Sequence, residues 1–291
     1  MVLAAALVAA TSLLAKILGN GVAGAALHPF QISAGRFVFA FVTLMVVAPF
    51  FKLRFETTPW RLHFYRSLAG WMGVTCVFAA AARMPLAEAT AISFLSPIAA
   101  MVLAIPMLGE KVGRVRWSAA AISLLGALIL IRPGTSAFQP VALLALSAAL
   151  LMGLETIFIK RLSRSERTIR ILFVNNGFGA AIAVTAASFF WISPSADQWL
   201  LLITLGMIMV TAQSCFIASM KSADASYVIP FFYATLVFAA FYDFGLFDVV
   251  PQAISLLGAV IIIAGAVFLA LREQYLKKSG KLTGAEIADK Q

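Results

Sequence analysis

Apolar residues run through this chain in long blocks that short polar gaps separate. A membrane-spanning helix needs about 20 mostly apolar residues, and the gaps contain the glycine, proline and charged residues that interrupt helices. The pattern predicts an all-α integral membrane protein followed by a polar tail over 272–291. The ten predicted transmembrane segments are 2–19, 30–51, 67–83, 86–108, 114–131, 139–160, 170–191, 197–219, 224–246 and 251–271.

A hexapeptide that occurs twice indicates that the chain has two related halves. Ile-Ser-Leu-Leu-Gly-Ala stands at 122–127 and again at 254–259. Each copy lies in the last segment of a group of five, so the halves are predicted to cover 1–135 and 136–271. Because five is odd, the second half starts on the other side of the membrane, and the repeat must be inverted. Secondary transporters with this arrangement bind substrate near the midplane between the repeats.

The composition excludes a water-soluble domain. Hydrophobic residues make up 62% of the chain and charged residues only 12%, whereas soluble domains contain about 25% charged residues. The net charge of +10 does not indicate a nucleic-acid partner, because the charges are confined to the short gaps. The apolar N-terminus lacks the basic region of a cleaved signal peptide. Membrane lipid is therefore the expected surrounding of the chain.

The basic residues favour one side of the membrane. With the N-terminus in the cytoplasm, the inner gaps and the tail hold most of the 22 Lys and Arg residues, and the outer gaps hold only Arg83 and Arg132. Cytoplasmic loops carry such an excess. We therefore expect a multi-pass protein of the bacterial inner (plasma) membrane with both termini in the cytoplasm.

Enzyme chemistry and metal binding are not indicated. Cys76 and Cys215 lie inside apolar segments, and His28 and His63 are expected in loops on opposite sides. Acidic residues form no cluster in the apolar segments, which disfavours a membrane-embedded lipid enzyme; that enzyme and a channel are the remote alternatives. No cofactor is expected. Without a nucleotide-binding loop, transport must be driven by a gradient or by exchange, so a coupling proton or an exchange substrate is expected.

Three ionisable residues inside apolar segments are candidates for contact with a substrate, because charges in hydrocarbon usually face a cavity. Glu155, about 7.5 Å from the inner end of segment six, either binds a substrate cation or a proton, or pairs with a neighbouring helix. Arg36, about 10 Å from the outer end of segment two, either clamps a carboxylate or phosphate or holds the fold. Lys16 is expected to snorkel to the interface, with substrate contact as the alternative.

Uncharged polar residues inside the segments either bond one helix to another or line a cavity. The candidates are Ser93, Ser96, Asn175, Asn176, Gln213, Tyr227 and Tyr233. Pro97 and Pro230 lie within segments four and nine, where a proline removes a backbone hydrogen bond and kinks the helix. We expect both to act as hinges during alternating access. Glu88 is expected to cap the first turn of segment four.

Motifs in both halves carry a family resemblance. They are Arg36-Phe37, the run Pro85–Ile92, Pro97, Leu108-Gly109-Glu110-Lys111, Arg132-Pro133-Gly134, Ala223–Ser226, Tyr233, Pro251 and Gly258-Ala259. Together they resemble the drug/metabolite transporter superfamily, in its ten-helix EamA-type branch. The resemblance implies a permease that moves a small metabolite by alternating access, and it implies that Tyr233 lies at the binding cavity.

Within that branch the chain looks most like S-adenosylmethionine uptake transporters. The likeness lies in the pattern from Arg66 to Pro133, in the carboxylate of segment six before a lysine, and in the run from Pro230 to Tyr233. The implied substrates are S-adenosylmethionine or a similar charged metabolite, then amino acids. A riboflavin-like substrate or an exporter of drugs or metabolites is the alternative. The chain departs from the family where the residues Phe247-Asp248-Val249-Val250-Pro251 replace the usual Phe-Gly-acid pattern, and at Asp243, where the family often has glycine.

Overall fold

Helices account for all ten predicted segments, and the fourth segment is divided into two. The computed structural model describes residues 1–47, 59–109, 114–131, 139–162, 166, 168–222, 232 and 234–278. Its helices are α1 (Val2–Gly19), α2 (Pro29–Val47), α3 (Trp60–Ala81), α4 (Leu86–Ser93), α5 (Ser96–Leu108), α6 (Arg114–Ile131), α7 (Ala142–Leu162), α8 (Thr168–Ala187), α9 (Ala196–Ser222), α10 (Ala234–Phe247) and α11 (Ala253–Lys278). The predicted all-α membrane architecture of ten segments is confirmed.

The surface of the bundle suits lipid rather than water. Six of the described helical spans, namely α1, α2, α4 with α5, α7, α8 and α9, are long and apolar enough to cross a membrane. Large apolar side chains are exposed on the outside of the bundle, among them Leu125, Val237 and Phe241. Water-soluble proteins rarely expose such extended apolar surface, so these side chains face lipid tails.

The two copies of the hexapeptide pack against each other on α6 and α11. A Cβ atom placed on Gly126 would lie 2.7 Å from the backbone nitrogen of Ile262 and 2.8 Å from the backbone oxygen of Gly258. The Ser123 hydroxyl also donates a hydrogen bond to the Ile262 carbonyl oxygen across 3.2 Å. Small residues allow helix backbones to approach this closely inside a membrane. The repeat therefore forms a packed scaffold in which the backbones nearly touch.

Hydrogen bonds between helix ends define two sides of the bundle. On one side, the amino group of Met1 donates to the Ser219 hydroxyl at 2.6 Å, and Arg161 donates to the Met107 carbonyl oxygen at 2.5 Å. We call this the basic side; α1 and α3 begin there and α7 ends there. On the opposite side, Gln198 donates to the carbonyl oxygen of Ala25 at 2.7 Å. The chain is a multi-pass membrane protein with alternating helix directions.

The fourth segment is not one kinked helix. The first helix ends at Ser93 and the second begins at Ser96, and Pro97 lies in the first turn of α5. Proline is well tolerated there, because the first amides of a helix have no partner within the helix. Pro97 thus follows an interruption rather than kinking a helix interior. Pro230 lies outside the described residues, and the hinge role of both prolines stays a prediction.

Helix pairing brings four helices of the two halves around one interior region. Helix α2 packs against α8 and α9, and α3 packs against α7 and α8. Glycines permit two of these contacts: Gly179 of α8 leaves room for the ring of Phe37 on α2, and Gly73 of α3 leaves room for the side chain of Met152 on α7. The interior between α2, α3, α7 and α8 contains the buried charges described next.

Candidate functional site

A buried cluster of two arginines and one glutamate lies between the helices of the two halves. Arg66 on α3 places its Nη2 atom 3.3 Å from the Oε1 atom of Glu155 on α7, and both side chains are largely buried. Arg36 on α2 is also buried, and Glu155 and Arg66 are the charges that act on it electrostatically. We call these three residues the charge cluster. By helix rise, Arg66 and Glu155 lie roughly 10 Å from the basic-side ends of α3 and α7. Arg36 lies roughly 10 Å from the end of α2 on the opposite side.

The charge cluster has hydrogen-bond donors to spare. Nη1 of Arg36 and both Nε and Nη1 of Arg66 are buried and form no hydrogen bond within the described residues. A buried donor without a partner costs about 1–3 kcal/mol, so these nitrogens favour an acceptor that enters from outside. A guanidinium group presents its donors in a fork that matches a carboxylate or a phosphate. The cluster is suited to binding an anionic group, with one carboxylate left to meet a cation.

Gly70 creates the space that Glu155 occupies against α3. A Cβ atom at Gly70 would lie 2.8 Å from both the Cδ and the Oε1 atom of Glu155. No real Cβ atom tolerates such a distance, so a side chain at position 70 would push the carboxylate away from its present place. Glycine at this position therefore sets the geometry of the Arg66–Glu155 pair.

We expect Gly70→Ala to weaken substrate binding by about tenfold while the protein stays folded. The added methyl group meets the flexible end of the Glu155 side chain, which can move without separating the helices, but losing a charge-assisted contact costs about 1.5–3 kcal/mol. The measurement is KM for uptake in proteoliposomes, with melting temperature as the control for folding. An unchanged KM would show that Glu155 does not need its present position.

The two asparagines of α8 differ in their environments. Asn175 is buried, and its Oδ1 atom accepts no hydrogen bond within the described residues. Asn176 is also buried, and its Nδ2 atom donates to the carbonyl oxygen of Leu172 at 2.8 Å. Helix α8 packs against both α2 and α3. Asn175 is therefore the stronger candidate for a ligand contact, whereas Asn176 satisfies its own helix.

The other uncharged candidates are not brought to the charge cluster by any contact among the described residues. Ser93 is buried and donates to the Thr90 carbonyl oxygen at 2.8 Å, so its hydroxyl is used inside α4. Ser96 at the start of α5 and Gln213 on α9 are half-buried. The two tyrosine candidates, Tyr227 and Tyr233, lie outside the described residues.

The expectation that Lys16 snorkels to the interface is wrong. Its Nζ atom lies 2.5 Å from Oδ1 of Asp243 on α10 and 4.4 Å from the ring centroid of Phe247. Both charged side chains are buried, Lys16 being 7% exposed and Asp243 1%. Because the ammonium group is paired with a buried carboxylate, the side chain does not have to extend to the water interface. Within this arrangement Lys16 is occupied by Asp243 rather than open to a substrate.

The carboxylate that caps α4 is also not the expected one. The other oxygen of Asp243 accepts a hydrogen bond from the backbone N–H of Leu86, the first residue of α4. Glu88 also lies in the first turn of α4. It lines a surface cavity of about 300 Å³ on the face of the bundle that is opposite to the basic side. Asp243 comes from far along the chain, so no local pattern identifies it as the cap.

His63 and Arg66 belong to helix α3 and not to a loop. The apolar pattern begins at residue 67, but the helix begins at Trp60. Both side chains are buried because each has a carboxylate partner from the second half: Glu166 for His63 at 2.8 Å, and Glu155 for Arg66. Sequence reasoning missed these two residues because the window that includes them is polar.

The comparisons with known proteins identify the family. The model of the EamA-like transporter family matches residues 1–132 and again residues 139–271. The chain belongs to the EamA-like transporter family. A member of this family is a transporter rather than an enzyme, and a small-molecule substrate follows from the transporters it is similar to.

The relatives of this EamA-like chain transport different molecules. It is 27% identical to the S-adenosylmethionine uptake transporter of Rickettsia prowazekii over 252 residues, covering 86% of each chain. It is 29% identical to a riboflavin transporter of Rhizobium johnstonii, covering 74% of this chain and 71% of that protein. It is 25% identical to the pseudopaline exporter CntI of Pseudomonas aeruginosa over 70% of this chain and 73% of the exporter.

A solved crystal structure supports the fold of this family member. It superposes with a TM-score of 0.63 at 20% sequence identity and covers 94% of this chain and 98% of the other. At this identity the likeness concerns the fold alone.

The boundaries of the two halves at residues 135 and 136 and the extent of the tail stay predictions. Helix α11 continues to Lys278, into the tail predicted from residue 272.

Proposed function

We propose that this EamA-like chain is a secondary transporter for a small metabolite that carries both a carboxylate and a cationic group, with S-adenosylmethionine as the best match. The observation that carries the proposal is the charge cluster of Arg36, Arg66 and Glu155, with its unpartnered guanidinium nitrogens. Three buried charges are costly inside a membrane and usually mark a substrate pathway. The uptake of S-adenosylmethionine by relatives that are 27% identical supports the same choice.

The chemistry of the cluster fits a zwitterion. The substrate carboxylate accepts hydrogen bonds from the free nitrogens of Arg36 and Arg66, and this fork geometry is directional. Glu155, which is only loosely paired with Arg66 at 3.3 Å, then turns to the ammonium or sulfonium group. The two arginines therefore offer cationic partners to the substrate carboxylate, and the one glutamate offers an anionic partner to its cationic group. An amino acid meets the same requirements and is the next candidate.

An aromatic surface near the division of the fourth segment suits a flat ring in the substrate. The ring centroid of Phe232 lies 5.4 Å from that of Phe216 and 6.3 Å from that of Phe94. One turn after the division, Ala99 packs on Gly153, two residues before Glu155. Aromatic rings stack on one another at such distances. In this proposal the adenine ring, or the larger ring of a riboflavin-like substrate, stacks on these phenylalanines.

The transport cycle follows from the inverted repeat. We propose alternating access, in which the halves rock around the charge cluster and the chain bends at Pro97 and Pro230. The excess of Lys and Arg on the basic side supports a position in a bacterial inner membrane with both termini in the cytoplasm. A gradient or an exchange substrate drives the movement.

A ligand panel and a set of variants test this function. We expect S-adenosylmethionine to raise the melting temperature of the purified protein and to show saturable uptake with counterflow in proteoliposomes. Its decarboxylated form, methionine and riboflavin should bind at least about tenfold more weakly. Arg36→Ala and Glu155→Gln should each weaken binding by about tenfold or more, the effect of losing a charged hydrogen-bond partner.

The matched control is Arg61→Ala, because Arg61 lies on α3 close to Arg66 but is exposed. It should transport as the unchanged protein does. If Arg36→Ala and Glu155→Gln both retained the affinity of the unchanged protein, the charge cluster would not be the substrate site. Linear, unsaturable flux without counterflow would indicate a channel.

A further inference from the structure

A second group of buried ionisable residues lies where α3 begins and α8 begins, on the basic side. Nε2 of His63 is 2.8 Å from Oε2 of Glu166, and these side chains are 0% and 1% exposed. Nη1 of Arg170 on α8 lies 3.7 Å from the other oxygen of Glu166. The charge cluster uses none of these three side chains, so their burial calls for a reason of its own.

The geometry leaves one nitrogen of His63 ready to accept a proton. The ionised carboxylate of Glu166 can only accept a hydrogen bond, so Nε2 carries the hydrogen and Nδ1 carries the lone pair. Nδ1 is buried and has no hydrogen-bond partner within the described residues. Imidazole changes charge within the physiological pH range. A proton added at Nδ1 would convert the neutral imidazole beside the ionised carboxylate, which together carry a charge of −1, into an imidazolium–carboxylate ion pair with no net charge, without breaking any bond.

The charged groups around His63 connect it to the charge cluster. Glu166 and Arg170 face it from the beginning of α8, and Arg66 acts on it from one turn further along α3. Residues three apart on a helix lie on the same face. Arg66 is in turn paired with Glu155 on α7. A change of charge on His63 therefore acts directly on Arg66, which is itself a member of the charge cluster.

We propose that the His63–Glu166 pair is a proton-binding site through which pH on the basic side sets the affinity of the transporter for its substrate. This inference rests on the proposed transport function. The proton comes from water on the basic side and returns to it, and it adds to the free ring nitrogen of His63. The new positive charge next to Arg66 increases the attraction for a substrate carboxylate, so affinity rises as pH falls.

The chain provides its own matched control, because His28 and His63 are its only histidines. His28 lies between α1 and α2 on the opposite side, where its ring stacks on Phe190 at 4.3 Å between centroids. Burial, and after it the charge of Arg83, lowers the pKa of His28 from its ordinary value. A pH effect that depends on His63 alone can therefore be separated from one that any histidine would cause.

The test measures KM for S-adenosylmethionine by counterflow in proteoliposomes, with equal pH on both sides between 5.5 and 8. For the unchanged protein and for His28→Gln we expect KM to fall by about threefold or more as pH falls. A change of this size is expected from one positive charge added close to Arg66. His63→Gln should lack this change and keep the high-pH value of KM. Any pH effect from titration of the substrate itself would persist in all three proteins and can be subtracted.

Retention of the full pH dependence by His63→Gln would overturn the proposal. A direct measurement guards against a variant that fails to fold: in the ¹³C-histidine spectrum of His28→Gln, the single remaining imidazole signal should titrate between pH 5 and 8. A signal that does not move in this range would also overturn it. A titrating His63 in a protein that transports none of the panel would reject the proposed function but not the proton-binding site.

Discussion

Replacing Asp243 by alanine is expected to destabilise the folded protein by about 3–5 kcal/mol, the usual cost of removing one partner from a buried ion pair. The change would leave the ammonium group of Lys16 buried and uncompensated. It would also remove the acceptor for the first backbone N–H of α4, at Leu86. Reversible unfolding of the purified protein in detergent measures the loss.

A double-mutant cycle distinguishes the ion pair from the other contacts of the two residues. Lys16→Met should be as harmful as Asp243→Asn, because each leaves one buried charge alone. The double variant should recover much of the stability, since a neutral pair of similar volume often replaces a buried ion pair at little cost. Coupling of this kind is expected between residues that touch. Additive losses in the double variant would contradict a direct ion pair.

The matched control for this cycle is Asp248→Asn. Asp248 follows the same helix but is exposed, and its φ angle of 53° is one that asparagine tolerates. Its replacement should leave the free energy of unfolding unchanged within about 0.5 kcal/mol, as for most surface changes. A loss equal to that of Asp243→Asn would mean that any removal of a carboxylate in this region is harmful, whatever its partner.

The ten segments and the repeat could be predicted because they depend on local patterns. A run of about 20 apolar residues is recognisable without knowing its neighbours. The start of α3 could not be predicted this way, because His63 and Arg66 make the window polar. Their burial depends on carboxylates far along the chain, as the separation of 103 positions between His63 and Glu166 shows. The same holds for Lys16, whose partner is 227 positions away.

The candidate site was only partly accessible to sequence reasoning for the same reason. Arg36 and Glu155 stand out because each is a single charge in an apolar block, and such charges are rare in membrane helices. Arg66 completes the cluster from a stretch that looks like a basic loop. Gly70 is recognisable only in three dimensions, since its role is to leave space for a side chain of α7. A window of neighbouring residues therefore does not show which residues of the first half contact residues of the second half.

Replacing Gly126 by alanine is expected to destabilise the protein by about 1–3 kcal/mol, and replacement by leucine by more. Helix association inside a membrane depends on close van der Waals packing, since the hydrophobic effect is absent there. The atoms that an added methyl group would meet are backbone atoms of α11, at 2.7 and 2.8 Å. Backbone atoms cannot rotate away, so α6 and α11 would have to separate.

Gly245→Ala is the matched control, and its effect should have the opposite sign. Gly245 lies in α10, where a Cβ atom would meet nothing within 4 Å. Alanine restricts the unfolded chain more than glycine does, which favours a helix by about 0.5–1 kcal/mol. The measurement is the melting temperature in detergent. It should be lower for Gly126→Ala than for the unchanged protein, and equal or higher for Gly245→Ala. If both variants melted alike, the contact between the hexapeptides would not stabilise the bundle; if Gly126→Ala also raised KM, the repeat would take part in substrate binding.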